Sequence, residues 1–456
     1  MKSVLFRCRF AGVLAASAWF VQTGAAQAQT VPPYPPPYYA VTDLGLVGPS
    51  PGPLVIKNNG LIASSMAVQN AWHAAISLVG MPPIDLTTIR GLGGLNSAAF
   101  GVNERGKAAG MAETGDSDPK MEDFCTYGTQ KSCKAFTWQN GVMSALPLLT
   151  DSTGAAGHNA NAKGINILGQ VAGVAENTTA DVTCPPYNPG PANLQFQFYQ
   201  QKPVVWINGK IEQLPTSGND VKGNTFQDPD GIVFRINDSG QAVGATGTCT
   251  GFTGISYVNA LHATLWQKDS VIDLGNLGGT LPPPQGFGNF AYDVNAFGHV
   301  VGTSGTGKGS QHAFFWSPET RIQDVGTLPG DVASVGLSIS DTGDIGGISF
   351  PADPNDSPRA FIRPDGGEMM DLNSLIPSNS ELYLFSTCSI NSRGEIVGLA
   401  FDAQGNLHGY LATPSNGSIG SSDELSNVSR AARFDYAWRI LRQSMRRAAA
   451  QPVSER

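Results

Sequence analysis

Short apolar runs that each open with a basic residue recur along this chain. The clearest copy is His312–Trp316, in which a histidine precedes four apolar residues. Runs of this length that are rich in aromatic and branched side chains, and that are bounded by turn-forming residues, predict β-strands. Six further copies share the basic first residue and begin at His73, Lys134, Lys202, His262, Arg359 and His408.

A turn signature precedes each apolar run. It consists of an aliphatic residue, usually Asn, two variable residues and then Gly-x-x-x-Gly, as in Val294-Asn295…Gly298…Gly302. Because glycine adopts the positive φ that tight turns require, the signature predicts a hairpin between the first two strands of each unit. The other complete copies begin at Val102, Ile165, Ile236 and Ile390, and two degenerate copies begin at Ile56 and Ile339.

A third element, an apolar residue followed by Asp-Leu, comes after most of the apolar runs, as in Ile272-Asp273-Leu274. Each unit therefore contains four short strands. The units repeat at intervals of about 45 to 70 residues, which is typical of propellers and repeat arrays. Four antiparallel strands per unit are the content of a propeller blade, so the sequence predicts an all-β fold.

The order of elements at the two ends predicts a closed ring. The seventh unit ends at His408–Ala412 with no Asp-Leu strand after it, whereas a stray strand with this motif, Tyr39–Leu44, lies before the first unit. Seven blades are complete only if this N-terminal strand becomes the outer strand of the last blade, which also leaves no open sheet edge there. We therefore predict a seven-bladed β-propeller over residues 39–414, closed by its N-terminal strand.

The repeated motif resembles the extracellular HAF-repeat family, which takes its name from a His-Ala-Phe triplet. His312-Ala313-Phe314 matches the triplet, and Asp273–Gly279 matches the family pattern between blades four and five. The resemblance covers roughly residues 39–414. It implies a secreted bacterial repeat protein, and it carries over no activity and no catalytic residue.

Residues 1–28 are predicted to be a secretory signal peptide. Lys2, Arg7 and Arg9 form the basic start, an apolar stretch follows, and Ala26–Ala28 fits a small-x-small cleavage site. Residues 29–38 are a Pro-rich lead-in of polyproline type.

The C-terminal region differs in composition from the repeats. Residues 415–429 are a Gly/Ser-rich linker. Apolar residues then recur at helical spacing among several arginines, so residues 430–456 are predicted to be a basic amphipathic helix and tail. The helix is expected to dock on the acidic propeller of the same chain, with an anionic membrane surface or a partner as alternatives.

Composition narrows the class of protein. The chain has 55 Gly and 31 Pro but only 14% charged residues, which suits tight turns and strands buried on both faces. The formal net charge is -8, and the predicted signal peptide and C-terminal helix are basic, so the propeller itself is more acidic than the whole chain. An acidic surface argues against binding of nucleic-acid phosphates. The expected partner is therefore a protein or a polysaccharide.

The cysteines predict two disulfides, which an oxidising compartment favours. Cys125 and Cys133 share one long loop, and Cys184 and Cys249 lie in equivalent loops of neighbouring blades. We expect these two pairs to be bonded. Cys388, on the inner strand of blade seven, is expected to behave as a small buried residue. The spacings do not match a zinc site, so no metal is expected.

Two charged residues occupy positions that are small in most inner strands. Side chains alternate between faces along a strand, so each inner strand is expected to have one thin and one thick face. Arg235 of blade four and Asp293 of blade five are equivalent thin-face residues. Because a buried charge requires a partner, we predict an Arg235–Asp293 pair near the tunnel wall. A role in specifying the fold is the leading interpretation, and a ligand site is the alternative.

The longest connections lie between the second and third strands of blades two, three and four, at about residues 113–133, 176–201 and 246–259. Insertions on a rigid scaffold often carry binding, and loops on consecutive blades are expected to cluster on one side of the ring. The alternative is a set of disulfide-pinned loops with no partner. The interaction surface predicted there contains the aromatic residues Tyr187, Phe196, Phe198 and Tyr199.

The basic residue of each third strand is assigned a structural role. Third and fourth strands pair within a blade, so this residue is expected to contact the Asp of the fourth strand. Blades two and three have Ala145 and Gln213 in place of Asp, and their basic residue is Lys, which is expected to reach water. The residues with this structural assignment are His73, His262, His312 and His408, with Asp43, Asp85, Asp273, Asp324 and Asp371.

No nucleophile elbow, phosphate-binding loop or His-Glu-x-x-His pair occurs in the sequence, so no catalytic residue and no cofactor are assigned. The favoured function is a secreted or periplasmic, non-catalytic binding scaffold. The first alternative is a propeller enzyme, a hydrolase or lyase acting on glycans, with its site at the tunnel mouth. Carboxylates and histidines that converge at one mouth would favour this enzyme. A third class is a structural envelope protein held by the C-terminal helix.

Overall fold

The computed structural model describes residues 39–47, 54–87, 91–184, 199–249, 258–267, 270–279, 288–353 and 356–415. The predicted signal peptide, the Pro-rich lead-in and the basic C-terminal helix lie outside these residues. No helix in the described ranges is long and apolar enough to cross a membrane.

The described residues form an all-β, seven-bladed β-propeller in which every blade is a four-stranded antiparallel sheet. Strand β1 and the strands of blades one and two are β1 (Tyr39–Leu46), β2 (Val55–Ile56), β3 (Leu61–Val68), β4 (Ala71–Leu78), β5 (Ile84–Asp85), β6 (Gly93–Val102), β7 (Ala108–Ser117), β8 (Lys131–Gln139) and β9 (Val142–Ala145).

Blades three and four are separated by a two-stranded hairpin, β14–β15, that the sequence did not predict. The strands of this part are β10 (Ala160–Ile165), β11 (Val171–Ala180), β12 (Tyr199–Ile207), β13 (Lys210–Gln213), β14 (Ser217–Asn219), β15 (Thr225–Gln227), β16 (Asp230–Ile236), β17 (Ala242–Cys249), β18 (Val258–Gln267) and β19 (Ser270–Asp273).

Blades five, six and seven complete the ring, and a single 3-10 turn, Leu372–Leu375, follows blade six. The strands are β20 (Phe290–Val294), β21 (Val300–Gly305), β22 (Gln311–Ser317), β23 (Arg321–Gly326), β24 (Asp331–Ile339), β25 (Ile345–Pro351), β26 (Arg359–Arg363), β27 (Met370–Asp371), β28 (Tyr383–Ile390), β29 (Ile396–Phe401) and β30 (Leu407–Pro414).

Blade seven contains strands from both ends of the described chain, in the order β28, β29, β30 and β1. Strand β1 pairs antiparallel with β30, with Val41 opposite Ala412. The register shifts between Asp43 and Gly45, where Gly45 adopts a φ of 90°. The first strand of the propeller is therefore hydrogen-bonded to its last strand.

The Asn of the turn signature joins neighbouring blades. Asn103 Nδ2 donates a hydrogen bond to the Asn166 carbonyl of blade three at 3.0 Å, while Asn103 Oδ1 accepts from the Lys107 amide of its own turn. Asn391 of blade seven donates in the same way to the Lys57 carbonyl of blade one at 3.2 Å. The asparagine side chain supplies both this donor and this acceptor. The inner strands of blades seven and one are therefore in direct contact.

The second glycine of the signature allows close packing inside a blade. A Cβ built on Gly302 would lie 1.9 Å from the Phe290 carbonyl oxygen and 2.7 Å from the Phe314 ring. Gly347 lies against Phe361 in the same way. Phe314 and Phe361 are the third residues of their apolar runs, and both are fully buried. In these two blades the glycine and the aromatic residue are thus complementary parts of one packing arrangement.

The inner strands do not simply alternate between two faces, which corrects the expectation of one thin and one thick face. Six of them shift register just before the turn signature, for example between Ala162 and Gly164 of β10. The residue that such a shift skips forms a bulge, which re-aims its side chain. The skipped residues are Phe100, Lys163, Phe234, Tyr292, Leu337 and Cys388.

Candidate functional site

A cavity of about 140 Å³ lies where the Asn-x-x-Gly turns of all seven blades meet around the tunnel axis. Glu104, Asp238 and Asp341 are acidic members of its lining. Asp238 Oδ1 accepts a hydrogen bond from the Ile167 amide, and Asp341 Oδ1 accepts one from the Ala296 amide, both at 2.9 Å. These two carboxylates therefore link neighbouring blades as well as lining the cavity.

Arg235 and Asp293 also line this cavity, and the contact predicted between them is present. Arg235 Nε lies 3.9 Å from Asp293 Oδ1. Arg235 Nη1 donates to the Lys163 carbonyl at 2.9 Å, and Asp293 Oδ2 accepts from the Ile339 amide at 3.0 Å. Burial lowers the pKa of Arg235 and raises that of Asp293, and the opposite charge of the partner counteracts both shifts. The pair thus connects blades three to six, while its role in ligand binding stays a prediction.

Lys163 is the one charged residue among the six bulge positions, and sequence reasoning did not single it out. Its Nζ lies 4.5 Å from the centroid of the Phe100 ring, which is a cation–π distance. Burial, assisted by the positive charge of Arg235, lowers the pKa of Lys163 to about 8. On the other side of Arg235, the Phe234 and Tyr292 rings are in contact, with centroids 5.0 Å apart. The bulge positions of blades two to five therefore combine aromatic rings with a desolvated ammonium group.

Three carboxylates converge at the other end of blades two and three. Asn159 Nδ2 lies 2.9 Å from Asp118 Oδ2, 3.0 Å from Glu176 Oε2 and 3.3 Å from Glu122 Oε2. The exposed fractions of these three acidic residues are 3%, 0% and 1%. Burial, together with the negative charges of Glu122 and Asp118, raises the pKa of Glu176 well above its ordinary value. Glu176 therefore retains a proton at pH values at which an ordinary glutamate is ionised.

Glu113 of blade two is the repeat equivalent of Glu176 and provides an internal comparison. Glu113 Oε2 accepts hydrogen bonds from the Asn96 amide and side chain, just as Glu176 Oε2 accepts from Asn159. The other oxygen of Glu113 accepts from the Thr129 hydroxyl. Glu176 Oε1 accepts from no donor among the described residues, and it faces Glu122 instead. A proton on Glu176 converts this repulsive contact into a hydrogen bond.

The predicted contact between the basic residue of the third strand and the Asp of the fourth strand is present in four blades. The shortest of these contacts joins His73 Nδ1 to Asp85 Oδ2 at 2.7 Å. The other pairs are His312 with Asp324, His408 with Asp43, and Arg359 with Asp371. These residues hold the outer strands of their own blades together, as expected from strand pairing.

His262 departs from this arrangement. Its Nδ1 lies 2.9 Å from Asp228 Oδ2, and its ring stacks on Phe226 with centroids 4.1 Å apart. Asp273 instead accepts a hydrogen bond from the Gly275 amide. The predicted His262–Asp273 contact is wrong because the unexpected β14–β15 hairpin places another carboxylate closer to the histidine.

The lysines of blades two and three also differ from expectation. Lys134 donates to the His158 carbonyl and Lys202 to the Pro229 carbonyl, so each ammonium group binds the backbone of the next blade. Both side chains were expected to reach water. Burial lowers the pKa of each lysine, and nearby carboxylates partly offset the shift.

Both predicted disulfides are confirmed. Cys125 is bonded to Cys133, and Cys184 to Cys249. Cys388 is a free thiol and is buried, as expected. Among the described residues, the one group spaced to hold a metal ion is Asp181 with Cys184 and Cys249. Because those two sulfurs form a disulfide, they are not thiolate ligands.

Of the four aromatic residues predicted to form an interaction surface, Tyr187, Phe196 and Phe198 lie outside the described residues. Tyr199 begins β12, and its ring centroid lies 5.4 Å from that of His158. Burial and the nearby carboxylates, Glu122 first among them, raise the pKa of Tyr199. Tyr199 therefore lies beside the buried carboxylate cluster.

No protein-family model matches the chain, and no curated protein matches it either. Several solved structures are similar to it at low sequence identity. An oligogalacturonate lyase from Vibrio parahaemolyticus is 10% identical with a TM-score of 0.47, over 82% of this chain and 93% of the lyase. The β-propeller domain of the Trilobed protease from Pyrococcus furiosus, described as having an open velcro topology, is 9% identical with a TM-score of 0.42, over 84% and 99%. A lectin from Aleuria aurantia is 8% identical with a TM-score of 0.31, over 81% and 96%. At these values the likenesses carry no argument about function.

Proposed function

We propose that this protein is a secreted or periplasmic, non-catalytic binding propeller with a ligand site in the tunnel-mouth cavity. The observation that supports this proposal is the cavity itself, which has a volume of about 140 Å³ and is lined by turns from all seven blades. The Arg235–Asp293 pair supplies fixed polar groups at its wall. A concave site with a few fixed polar groups is the usual form of a small-molecule site. A cavity of this volume suits a small polar molecule or one end of a polymer.

The positions of the carboxylates disfavour the alternative, a propeller enzyme acting on glycans. A general acid must come within hydrogen-bond reach of the atom that it protonates. Glu176, whose pKa burial raises well above the ordinary value, is 0% exposed and lies at the opposite end of β10 from the cavity. Asp238 and Asp341 at the cavity are engaged by backbone amides of neighbouring blades. This arrangement fits a structural role for all three carboxylates and not general acid–base catalysis.

The proposed location rests on the leader-like residues 1–28 and on the two disulfides, which are typical of oxidising compartments. Membership of the HAF-repeat family stays a proposal supported by the repeated motif. We also propose that the basic residues 430–456 dock on the acidic propeller of the same chain, with a membrane surface or a partner as the alternatives.

We further propose that β1 clasps the ring closed. Its pairing with β30 extends from Tyr39 to Leu46. Asp43 of β1 contacts His408 of β30 at 2.9 Å, and Tyr39 and Val41 pack against the core of blade seven. Without β1, the edge of β30 would have unpaired backbone groups. These contacts add an outer clasp to the direct inner-strand contacts between blades seven and one.

The binding proposal is tested with calorimetric titrations of the chain from residue 29 onward. The probes are monosaccharides, uronic acids and amino acids. We expect at least one probe to bind, and we expect Arg235→Lys to weaken binding at least tenfold because the guanidinium fork is lost. Lys210→Ala, at an exposed position on the outer strand of blade three, is the control and should bind normally. Binding that Arg235→Lys leaves unchanged would contradict the proposed site. Turnover of a glycan that Glu176→Gln abolishes would establish the enzyme instead.

A further inference from the structure

Blades six and seven form a shallow, open groove of about 650 Å³ on the face opposite the tunnel-mouth cavity. Asp331 begins β24, Arg359 begins β26 and Tyr383 begins β28, and all three line this groove. The turns that form the tunnel-mouth cavity lie at the other ends of the inner strands. The volume falls within the range of about 300 to 1,000 Å³ that is usual for ligand sites.

Arg359 presents a guanidinium group that is already held in place. Its Nη2 donates to Asp331 Oδ1 at 2.7 Å and to the Pro329 carbonyl at 3.1 Å, and its Nη1 donates to Asp371 Oδ2 at 3.2 Å. A guanidinium has five N–H donors in a rigid fork, so these contacts leave two donors for a ligand. The side chain is 26% exposed. Because its geometry is fixed in advance, little conformational entropy is lost on binding.

Asp331 supplies an acceptor that the protein itself does not satisfy. One carboxylate oxygen accepts from Arg359, whereas the other, Oδ2, is buried and has no hydrogen-bond partner in the described part of the chain. The Asp331 side chain is 2% exposed. Buried acceptors are almost always paired in folded proteins. An unpaired one in the wall of a groove therefore indicates a place for a donor supplied by a ligand.

Tyr383 provides an aromatic surface at the same groove. It is 37% exposed, and its hydroxyl donates to the Ser357 carbonyl at 3.2 Å, which fixes the position of the ring. Asp356, an exposed carboxylate, also lines the groove. The groove thus combines an aromatic ring with donors and acceptors held by the rigid blades.

We propose that this groove binds a neutral saccharide through one or two pyranose rings. Sugar hydroxyls donate to Asp331 and Asp356 and accept from Arg359, and the apolar face of one ring stacks on Tyr383. A phosphate ligand is disfavoured by the carboxylates, and a bare cation is disfavoured by the guanidinium of Arg359 in the wall. This site is separate from the tunnel-mouth cavity, so the inference goes beyond the proposed function.

The experiment uses the chain from residue 29 onward and neutral trisaccharides of glucose, mannose and galactose with β-1,4 or α-1,4 linkages. Saturation-transfer NMR detects binding, and calorimetry measures the affinity. We expect at least one trisaccharide to bind. Tyr383→Ala and Asp356→Asn should each weaken binding at least tenfold, whereas Tyr383→Phe, which keeps the ring, should stay within about threefold of the wild type. Lys210→Ala, at an exposed position on the outer strand of blade three, is the control and should bind normally. Arg235→Lys is measured as well, to distinguish this groove from the tunnel-mouth cavity.

Three results would overturn the saccharide site. The first is that no trisaccharide binds. This result also covers a cation site, in which CaCl2 alone stabilises the protein and Asp356→Asn removes that stabilisation. The second is binding that neither Asp356→Asn nor Tyr383→Ala weakens. The third is binding that Arg235→Lys removes, which would place the sugar in the tunnel-mouth cavity and leave the proposed function intact. Because Asp356 is exposed, Asp356→Asn keeps the test decisive even if Tyr383→Ala fails to fold.

Discussion

Replacing Glu176 by glutamine is expected to stabilise the protein at neutral and alkaline pH. Burial raises the pKa of Glu176 well above the ordinary value of 4.5, which applies in the unfolded chain. At pH values between these two pKa values, the folded state holds a proton that the unfolded state has released. The free energy of unfolding therefore falls by about 1.4 kcal/mol per pH unit across this window. The amide side chain of the variant stays neutral at every pH and removes this loss.

The assay is urea unfolding of the wild type and of Glu176→Gln at pH values from 4 to 9. The two proteins should differ little near pH 4, where the carboxyl group is protonated in both folded and unfolded states. The advantage of the variant should then grow with pH, with a slope of at most about 1.4 kcal/mol per unit, and level off above the folded-state pKa.

Glu113→Gln is the matched control because Glu113 occupies the equivalent position in blade two. Both of its carboxylate oxygens accept hydrogen bonds, from Asn96 and from Thr129. The variant loses charge-assisted acceptors and turns an amide group toward donors, so it should be less stable by about 1 to 3 kcal/mol. A Glu176→Gln variant that is destabilised to the same extent, or whose difference from the wild type does not change with pH, would refute the reasoning.

Three further changes have defined outcomes. The free energy of unfolding of the wild type should rise between pH 8 and pH 10.5, because Lys163 has a lowered pKa of about 8 in the folded state and the unfolded chain still holds the proton in this window. Lys163→Met should remove this rise. A wild-type Lys163 that titrates near 10.5 in NMR of methylated lysines would contradict this prediction. Asn237→Ala should lower the free energy of unfolding by about 1 to 3 kcal/mol in urea titrations, because the donor to the carbonyl of blade five is lost; an unchanged value would show that the inter-blade bond contributes nothing. Replacing Cys184 and Cys249 by Ser opens a 65-residue loop and should lower the free energy of unfolding by about 2 to 5 kcal/mol. This loss should exceed the loss from opening the 8-residue loop of the other disulfide. The reverse ranking in thermal denaturation would count against the entropic reasoning.

The blade architecture could be predicted because each unit repeats a local pattern. The basic-apolar run, the Asn-x-x-Gly turn and the Asp-Leu strand are each defined by a few neighbouring residues. Their spacing along the chain is enough to predict where each strand lies. The disulfides followed from the placement of Cys184 and Cys249 in equivalent loops. The pairing partner of His408 followed from counting strands, because Asp43 had to complete the last blade.

The Arg235–Asp293 pair and the Cys184–Cys249 disulfide could be predicted because they join equivalent positions of neighbouring blades. Other contacts between blades could not, because they join residues that are distant in sequence and belong to no motif. Asn159 and Asp118 are 41 residues apart, and nothing local marks their contact. The bulge that re-aims Lys163 has no compositional signal, since the skipped residues range from Phe to Cys. The β14–β15 hairpin was missed because its strands are only three residues long, and this error misassigned the partner of His262.

The most direct test of the account is a pair of engineered cysteines across β1 and β30. Ala40 lies opposite Thr413, and paired residues of antiparallel strands have Cα atoms about 4.5 to 5.5 Å apart, within the range that a disulfide spans. Mass spectrometry of the oxidised, monomeric Ala40→Cys/Thr413→Cys variant is predicted to show one peptide linked through these two residues. Free thiols, or a link that forms only between chains, would contradict a seven-bladed ring completed by its first strand.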